Sequence, residues 1–327
     1  MATKGYQHLT LDQRCQIYAL LKRGHSKAQI AEDLNVHRTT VGREIRRNMG
    51  KRGYRHKQAD EKAINRRSLA SQRPKKMTPE LISIIREKLT FYQWSPEQIT
   101  GWLKQNTTLS ISHECIYQYI VADKKTGGIL YLHLRRKKKK YNKRIGKTAG
   151  RGLIPGRIDI DERPEIVNAK ERVGDFEIDT VIGKNHQGAI VTMVERKTKL
   201  TKLVLIQHKT EAETSEALIS ALDGIKQHVT SLTADNGKEF AGHRKVAQAL
   251  DAIVYFAKPY HSWERGLNEN TNGLVRQYFP KKTDFTKLTY EEVRLVENKL
   301  NNRPRKTLNF QTPIQSFLAL TGVALHC

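Results

Sequence analysis

The sequence predicts a multidomain chain: an all-α amino-terminal region followed by an α/β core. Three observations carry that division. Charge is concentrated in front, where residues 1–150 hold 33 Lys and Arg against 11 Asp and Glu, while residues 151–327 hold 26 against 22. Apolar residues recur at helical spacing through residues 10–47. From about residue 165 the pattern changes to short apolar runs divided by turns, the spacing of strands. A chain of 327 residues has room for two or three domains. The expected boundaries are 1–50, 51–125, 126–160 and 161–327.

The front half divides into short helices. Thr10 and Gln13 form a capping-box pair, and Leu11, Cys15, Tyr18 and Leu21 or Ile17 fill one apolar face behind it. Gly24 ends this helix, Ser26 and Gln29 repeat the box, and Ile30, Ala31 and Leu34 make the next buried stripe. After a turn at Asn35, a third helix over 38–47 turns Val41 and Ile45 inward. Arg38, Thr39, Thr40, Arg43 and Arg46 or Arg47 are then left to face outward. The stretch SKAQIAEDLNVHRTTVGREIRRN resembles a helix-turn-helix, whose second helix lies in the major groove of DNA. His37 stands where a Ser or Thr cap is usual.

A basic stretch over 51–76 is expected to act as a linker. Ser95, Pro96 and Gln98 then open a helix whose apolar face is Ile99, Trp102 and Leu103. A further helix over 112–122 buries Cys115 or Ile116 and Tyr119 or Ile120, making a second helix-turn-helix-like unit or plain scaffold. Residues 135–144 carry eight basic side chains in ten and, with the glycines behind them, mark a basic linker.

In the back half, strands are expected at 175–182, 189–194 and 200–207, a helix at 210–227 and a strand at 229–234. A helix at 243–250, a strand at 252–256 and a helix at 264–278 follow. Three antiparallel strands followed by helix, strand, helix, strand and helix is the order of a ribonuclease-H-like fold, a mixed five-stranded sheet with flanking helices. Three acids stand out on it. Asp179 lies within the first strand, where alternation sets Asp175, Glu177 and Asp179 opposite Phe176 and Ile178. Asp235 ends the fourth strand before the turn-forming Asn236 and Gly237, and Glu269 lies on the late helix, sharing a face with Asn272 or Gly273 and Arg276. An acid inside a central strand is costly unless it is paired, solvated or metal-bound. Mg2+ takes hard oxygen ligands of this kind.

The segments GDFEIDTVIG, TADNGKEF and KPYHSWERGLNENTNGLVRQYFP closely resemble the DDE transposases of the insertion-sequence-30 family. The resemblance runs over most of the chain and implies a metal triad of Asp179, Asp235 and Glu269 holding two Mg2+ ions, or Mn2+. It further implies cleavage at the end of an element, then attack of the freed 3′-hydroxyl on a second phosphodiester without a protein–DNA covalent bond. Its implied partner is double-stranded DNA, both the terminal inverted repeats and the target, bound by at least a dimer. Asn236, Lys258, His261 and Asn272 become candidate positioners of the strand, while Glu177 and Glu264 are the acids most easily mistaken for ligands. Three scattered cysteines, no apolar run of bilayer length and no signal-peptide pattern lead to an expected place in the bacterial cytosol, on the nucleoid when bound to DNA. An inactive DNA-binding regulator and a nuclease that cuts without joining are the competing classes.

Overall fold

The computed structural model describes residues 8–71, 77–135, 154–259 and 261–325, and the chain divides into two compact units, Met1–Lys76 and Met77–Cys327.

The first unit holds α1 (Leu11–Lys22), α2 (Lys27–Asp33), α3 (Arg38–Asn48) and α4 (His56–Ser71). Both expected capping boxes form, Thr10 with Gln13 and Ser26 with Gln29. Asn35 makes the turn at φ +50°, and the His37 Nδ1 accepts the Thr39 N–H at 3.3 Å, doing the work of the missing Ser or Thr. Ile17, Ile30, Ala31, Leu34, Val41 and Ile45 form the core. Two expectations change. Leu11 is exposed, and of the open pair Ile17 takes the core position with Leu21 at its margin; Arg14, one turn before Ile17, shares its buried face. Arg14 is 4% exposed and reaches Glu44 of α3 at 2.8 Å and Asp60 of α4 at 2.9 Å. The stretch 51–76 is not simply a linker: its middle is α4, packed on this core through Ala59 and tied to it by that arginine. The unit therefore extends past residue 50.

The second unit begins with α5 (Pro79–Thr90), α6 (Pro96–Asn106) and α7 (His113–Lys125). Leu81, Ile85 and Leu89 of α5, which the sequence reading did not assign, pack with Ile99, Leu103, Ile116 and Ile120. Of the open pairs, Ile116 and Ile120 take the buried positions, with Cys115 and Tyr119 at the margin.

The rest of the unit is an α/β sandwich. In chain order it contains β1 (Ile158–Asp159), α8 (Glu165–Ala169), β2 (Asp175–Ile182), β3 (Ala189–Glu195), β4 (Thr201–Ile206), α9 (Glu211–Asp223), β5 (Ser231–Ala234), α10 (His243–Leu250), β6 (Ile253–Phe256), α11 (Gly266–Tyr278), α12 (Tyr290–Asn301) and α13 (Pro313–Thr321). The strand order is β1-β6-β5-β2-β3-β4. β2, β3 and β4 pair antiparallel, and β2, β5, β6 and β1 pair parallel. This is the ribonuclease-H-like arrangement with six strands rather than five, because β1 adds a two-residue edge beside β6. One face of the sheet buries Phe176, Ile178, Val191 and Leu232 with Leu218 of α9 and Val246 of α10. The other buries Val181, Ile190 and Leu203 with Leu274 and Val275 of α11 and Val296 of α12. Strand alternation thus turns Glu177, Asp179 and Val181 toward α11.

Basic residues 136–153 of the expected linker lie outside the described residues. No helix among the described residues is long and apolar enough to cross a membrane.

Candidate active site

β2 and β5 are adjacent parallel strands at the centre of the sheet, and each carries an acid toward the same end. Asp235 follows directly on β5, where its Oδ1 accepts the Gly237 N–H at 2.8 Å and so fixes the turn. Asp179 lies beyond the stretch of β2 that pairs with β5. Its Oδ1 accepts the Thr180 N–H at 2.8 Å and its Oδ2 accepts the Asn272 amide at 3.0 Å. Thr192 on β3 donates to the Asn272 Oδ1 at 2.9 Å, so the amide is held at both ends.

Arg265, at the N-cap of α11, joins the two acids. Its Nη1 is 3.3 Å from Asp179 and its Nη2 3.5 Å from Asp235. Burial pushes the Asp179 carboxyl above the ordinary carboxylate range; Arg265 pulls it back, and Asp235 adds repulsion. Glu269 is exposed on the first turn of α11. Helical spacing places it on one stripe with Arg265 and Asn272, the two residues that touch Asp179. Its carboxylate nevertheless stands apart. Among the described residues no three acids, histidines or cysteines are close enough to hold an ion together. The structure therefore brings together two of the three expected acids and leaves Glu269 exposed on the stripe of α11 that carries Arg265 and Asn272.

Known proteins resemble this chain over nearly its whole length. A helix-turn-helix domain family matches residues 5–48. The transposase for insertion sequence element IS4351 of Bacteroides fragilis is 48% identical over 95% of this chain and 95% of its own length. Transposase InsI for insertion sequence element IS30A of Escherichia coli K12 is 38% identical over 98% of this chain and 86% of its own length. The chain belongs to the insertion-sequence-30 family of DDE transposases. Among solved structures, the catalytic core domain of BIV integrase is similar at 21% identity, covering 44% of this chain and 93% of that one with a TM-score of 0.34.

Other residues of this transposase take roles that the sequence did not assign. Glu177 is 2% exposed. One of its oxygens meets Arg196 at 2.9 Å, and the other accepts the Leu267 and Asn268 N–H groups at 3.1 and 3.0 Å. It holds the amino terminus of α11, where unpaired N–H groups favour an anion, and so positions the helix that bears Glu269. Glu264 is likewise spent, accepting the Lys258 N–H at 2.8 Å and facing His261 at 3.2 Å. Asn272, one of the candidate strand positioners, donates its amide to Asp179 and accepts from Thr192, and so orients that carboxylate. Lys258 pairs through its ammonium with Asp161 at 2.6 Å. Asn236 donates to the Ala257 carbonyl at 2.6 Å and accepts from Arg157, tying the ends of β5 and β6.

The sequence reading also passed over Glu239, a buried acid close enough to repel Asp179. Thr180 donates to it at 3.1 Å and Lys209 meets it at 2.6 Å. Its spacing of four residues after Asp235 within TADNGKEF was the available signal. In the first unit, Arg38, Thr39, Arg43, Arg46 and Arg47 are exposed on α3, and Thr40 is half-buried.

Proposed function

We propose that Asp179, Asp235 and Glu269 are the catalytic acids of this transposase and hold the divalent ions for its chemistry, two Mg2+ per site with Mn2+ as the substitute. The observation that carries this reading is the sharing of one guanidinium by Asp179 and Asp235. Carboxylates from neighbouring central strands, drawn to a common positive charge, form a set of hard oxygens suited to Mg2+. Bound ions would activate the attacking oxygen and stabilise the leaving oxygen of an in-line displacement at phosphorus.

The chain's own groups prepare that site. Asn272 and the Thr180 N–H set the rotation of Asp179, the Gly237 N–H sets Asp235, and α11 supplies Glu269 from the stripe that faces them. The first displacement cuts the strand at an element end and frees a 3′-hydroxyl. In the second, that hydroxyl attacks another phosphodiester, whose own 3′-oxygen leaves as the new bond forms. No protein nucleophile is needed. Arg38, Thr39, Thr40, Arg43, Arg46 and Arg47 read the terminal inverted repeats, while Lys258 and His261 lie along the strand near the acids. Two ends joined in one reaction require at least a dimer on DNA, acting on the nucleoid in the bacterial cytosol.

The test is incubation of the full chain with Mg2+ and duplexes carrying the element ends. Cut and joined products are expected, and Asp235→Asn abolishes both while leaving DNA binding intact. Cutting that persists in Asp235→Asn overturns the assignment. Cutting with no joining of a pre-cut end would make the protein a nuclease.

A further inference from the structure

Beside α11 lies a cavity of about 430 Å3 whose charged lining consists of Lys170, Arg196, Lys199 and Arg305 with Glu177 and Glu264. It opens on the stripe of α11 that includes Gly266 and Asn270, which helical spacing turns to the side opposite Arg265 and Asn272. Both carboxylates already have work: Glu177 holds Arg196 and the N–H groups of α11, and Glu264 holds the 258–264 loop. The cations are less well served. Arg196 is 4% exposed, and its Nε, like that of Arg305, is buried with no hydrogen-bond acceptor. The Lys199 ammonium donates to a neutral acceptor, the Arg196 carbonyl.

The backbone adds an independent observation. Lys170 and Lys199 both adopt left-handed conformations, at φ +60° and +64°, which Gly or Asn occupies at lower cost. Two lysines at such positions converge on one cavity, and what lysine adds there over asparagine is charge. Burial, then the neighbouring Lys170, pushes the Lys199 ammonium down to about 8. Burial, then Arg303, pushes the Arg305 guanidinium down to about 9. Like charges gathered without enough counter-charge favour an incoming anion.

We propose that this cavity is a phosphate site taking one backbone phosphodiester of the DNA substrate, on the side of α11 away from the catalytic acids. That the anion is DNA rests on the transposase reading above. A phosphate held there anchors the strand on the helix that presents Glu269, and it is contacted without regard to base sequence.

The experiment measures duplex binding by fluorescence anisotropy across a KCl series, comparing the full chain with its Lys170→Asn/Lys199→Asn variant; asparagine keeps the left-handed backbone while removing the charge. The slope of log affinity against log salt should fall in magnitude by about 1, equally for element-end and unrelated duplexes. Inorganic phosphate should raise the Tm of the unaltered protein more than that of the variant. An unchanged slope, or a loss confined to one sequence, overturns the phosphate site. If circular dichroism finds the double variant unfolded, Lys170→Asn alone, at an exposed helix end, carries the same test. A protein that binds duplex with the expected change of slope yet never cuts defeats the catalytic reading and leaves this one standing; no duplex binding at all defeats both.

Discussion

Arg265 is the residue on which the geometry of the two acids turns. Its guanidinium pairs with both Asp179 and Asp235, one positive charge against two negative ones, while its Nε is buried without a partner. A protein cation in that place competes with any metal ion for the same oxygens. In Arg265→Gln the two acids keep their partial burial and lose their counter-charge, which costs about 1–3 kcal/mol once partial solvation is allowed for. The variant should melt several degrees lower in EDTA. Added Mg2+ then meets no competitor, so the rise in Tm across a MgCl2 titration should be larger than in the unaltered protein. Equal rises in the two proteins would mean that Arg265 does not contest the metal position.

At the scale of elements, α11 is held from below by Glu177, and this contact separates two acids that look alike in sequence. Asp175, Glu177 and Asp179 share one side of β2, and that much was legible because Phe176 and Ile178 had to go into the core. Which acid is the proposed ligand and which is the cap depends on α11, which arrives about ninety residues later, and no local pattern encodes its approach. Glu177→Gln keeps an acceptor for the Leu267 and Asn268 N–H groups but removes the charge paired with buried Arg196. Breaking such a pair from one side costs about 3–5 kcal/mol. Hydrogen exchange at Leu267 and Asn268 should quicken, and cutting should slow although Asp179 and Asp235 are untouched; unchanged exchange would show that Glu177 does not hold the helix. Other elements were hidden for related reasons. α4 has no apolar stripe to read, since it packs through Ala59 and Asp60 onto a buried arginine. β1 is two residues long and is defined only by its pairing with β6. α12 and α13 did have readable starts, in the capping boxes Thr289 with Glu292 and Thr312 with Gln315.

At the scale of the whole molecule, the helices α5–α7 and the sheet core belong to one compact unit, and the contacts between them are specific. Lys306 meets Glu97 at 2.7 Å, Arg135 donates to Asn270 at 3.0 Å, and Gln277 donates to the His133 carbonyl at 3.3 Å. The exposed ion pair contributes little by itself. The closest packing is elsewhere: Asn309 and Phe310 are consecutive left-handed residues, at φ +50° and +62°, and this turn lays the Phe310 ring directly on Gly101 of α6. A Cβ at residue 101 would overlap the ring. Gly101 is thus required by the docking of a helix on a loop more than two hundred residues away, not by its own conformation. Gly101→Val should cost about 1–3 kcal/mol through overpacking and lower the Tm by several degrees. Because the clash is with one side chain, a second substitution, Phe310→Ala, should recover most of the loss in the double variant. Contact of this kind makes the two changes non-additive; if their separate effects on Tm simply sum, the ring and the glycine do not meet, and the helices are held to the core by the polar contacts alone.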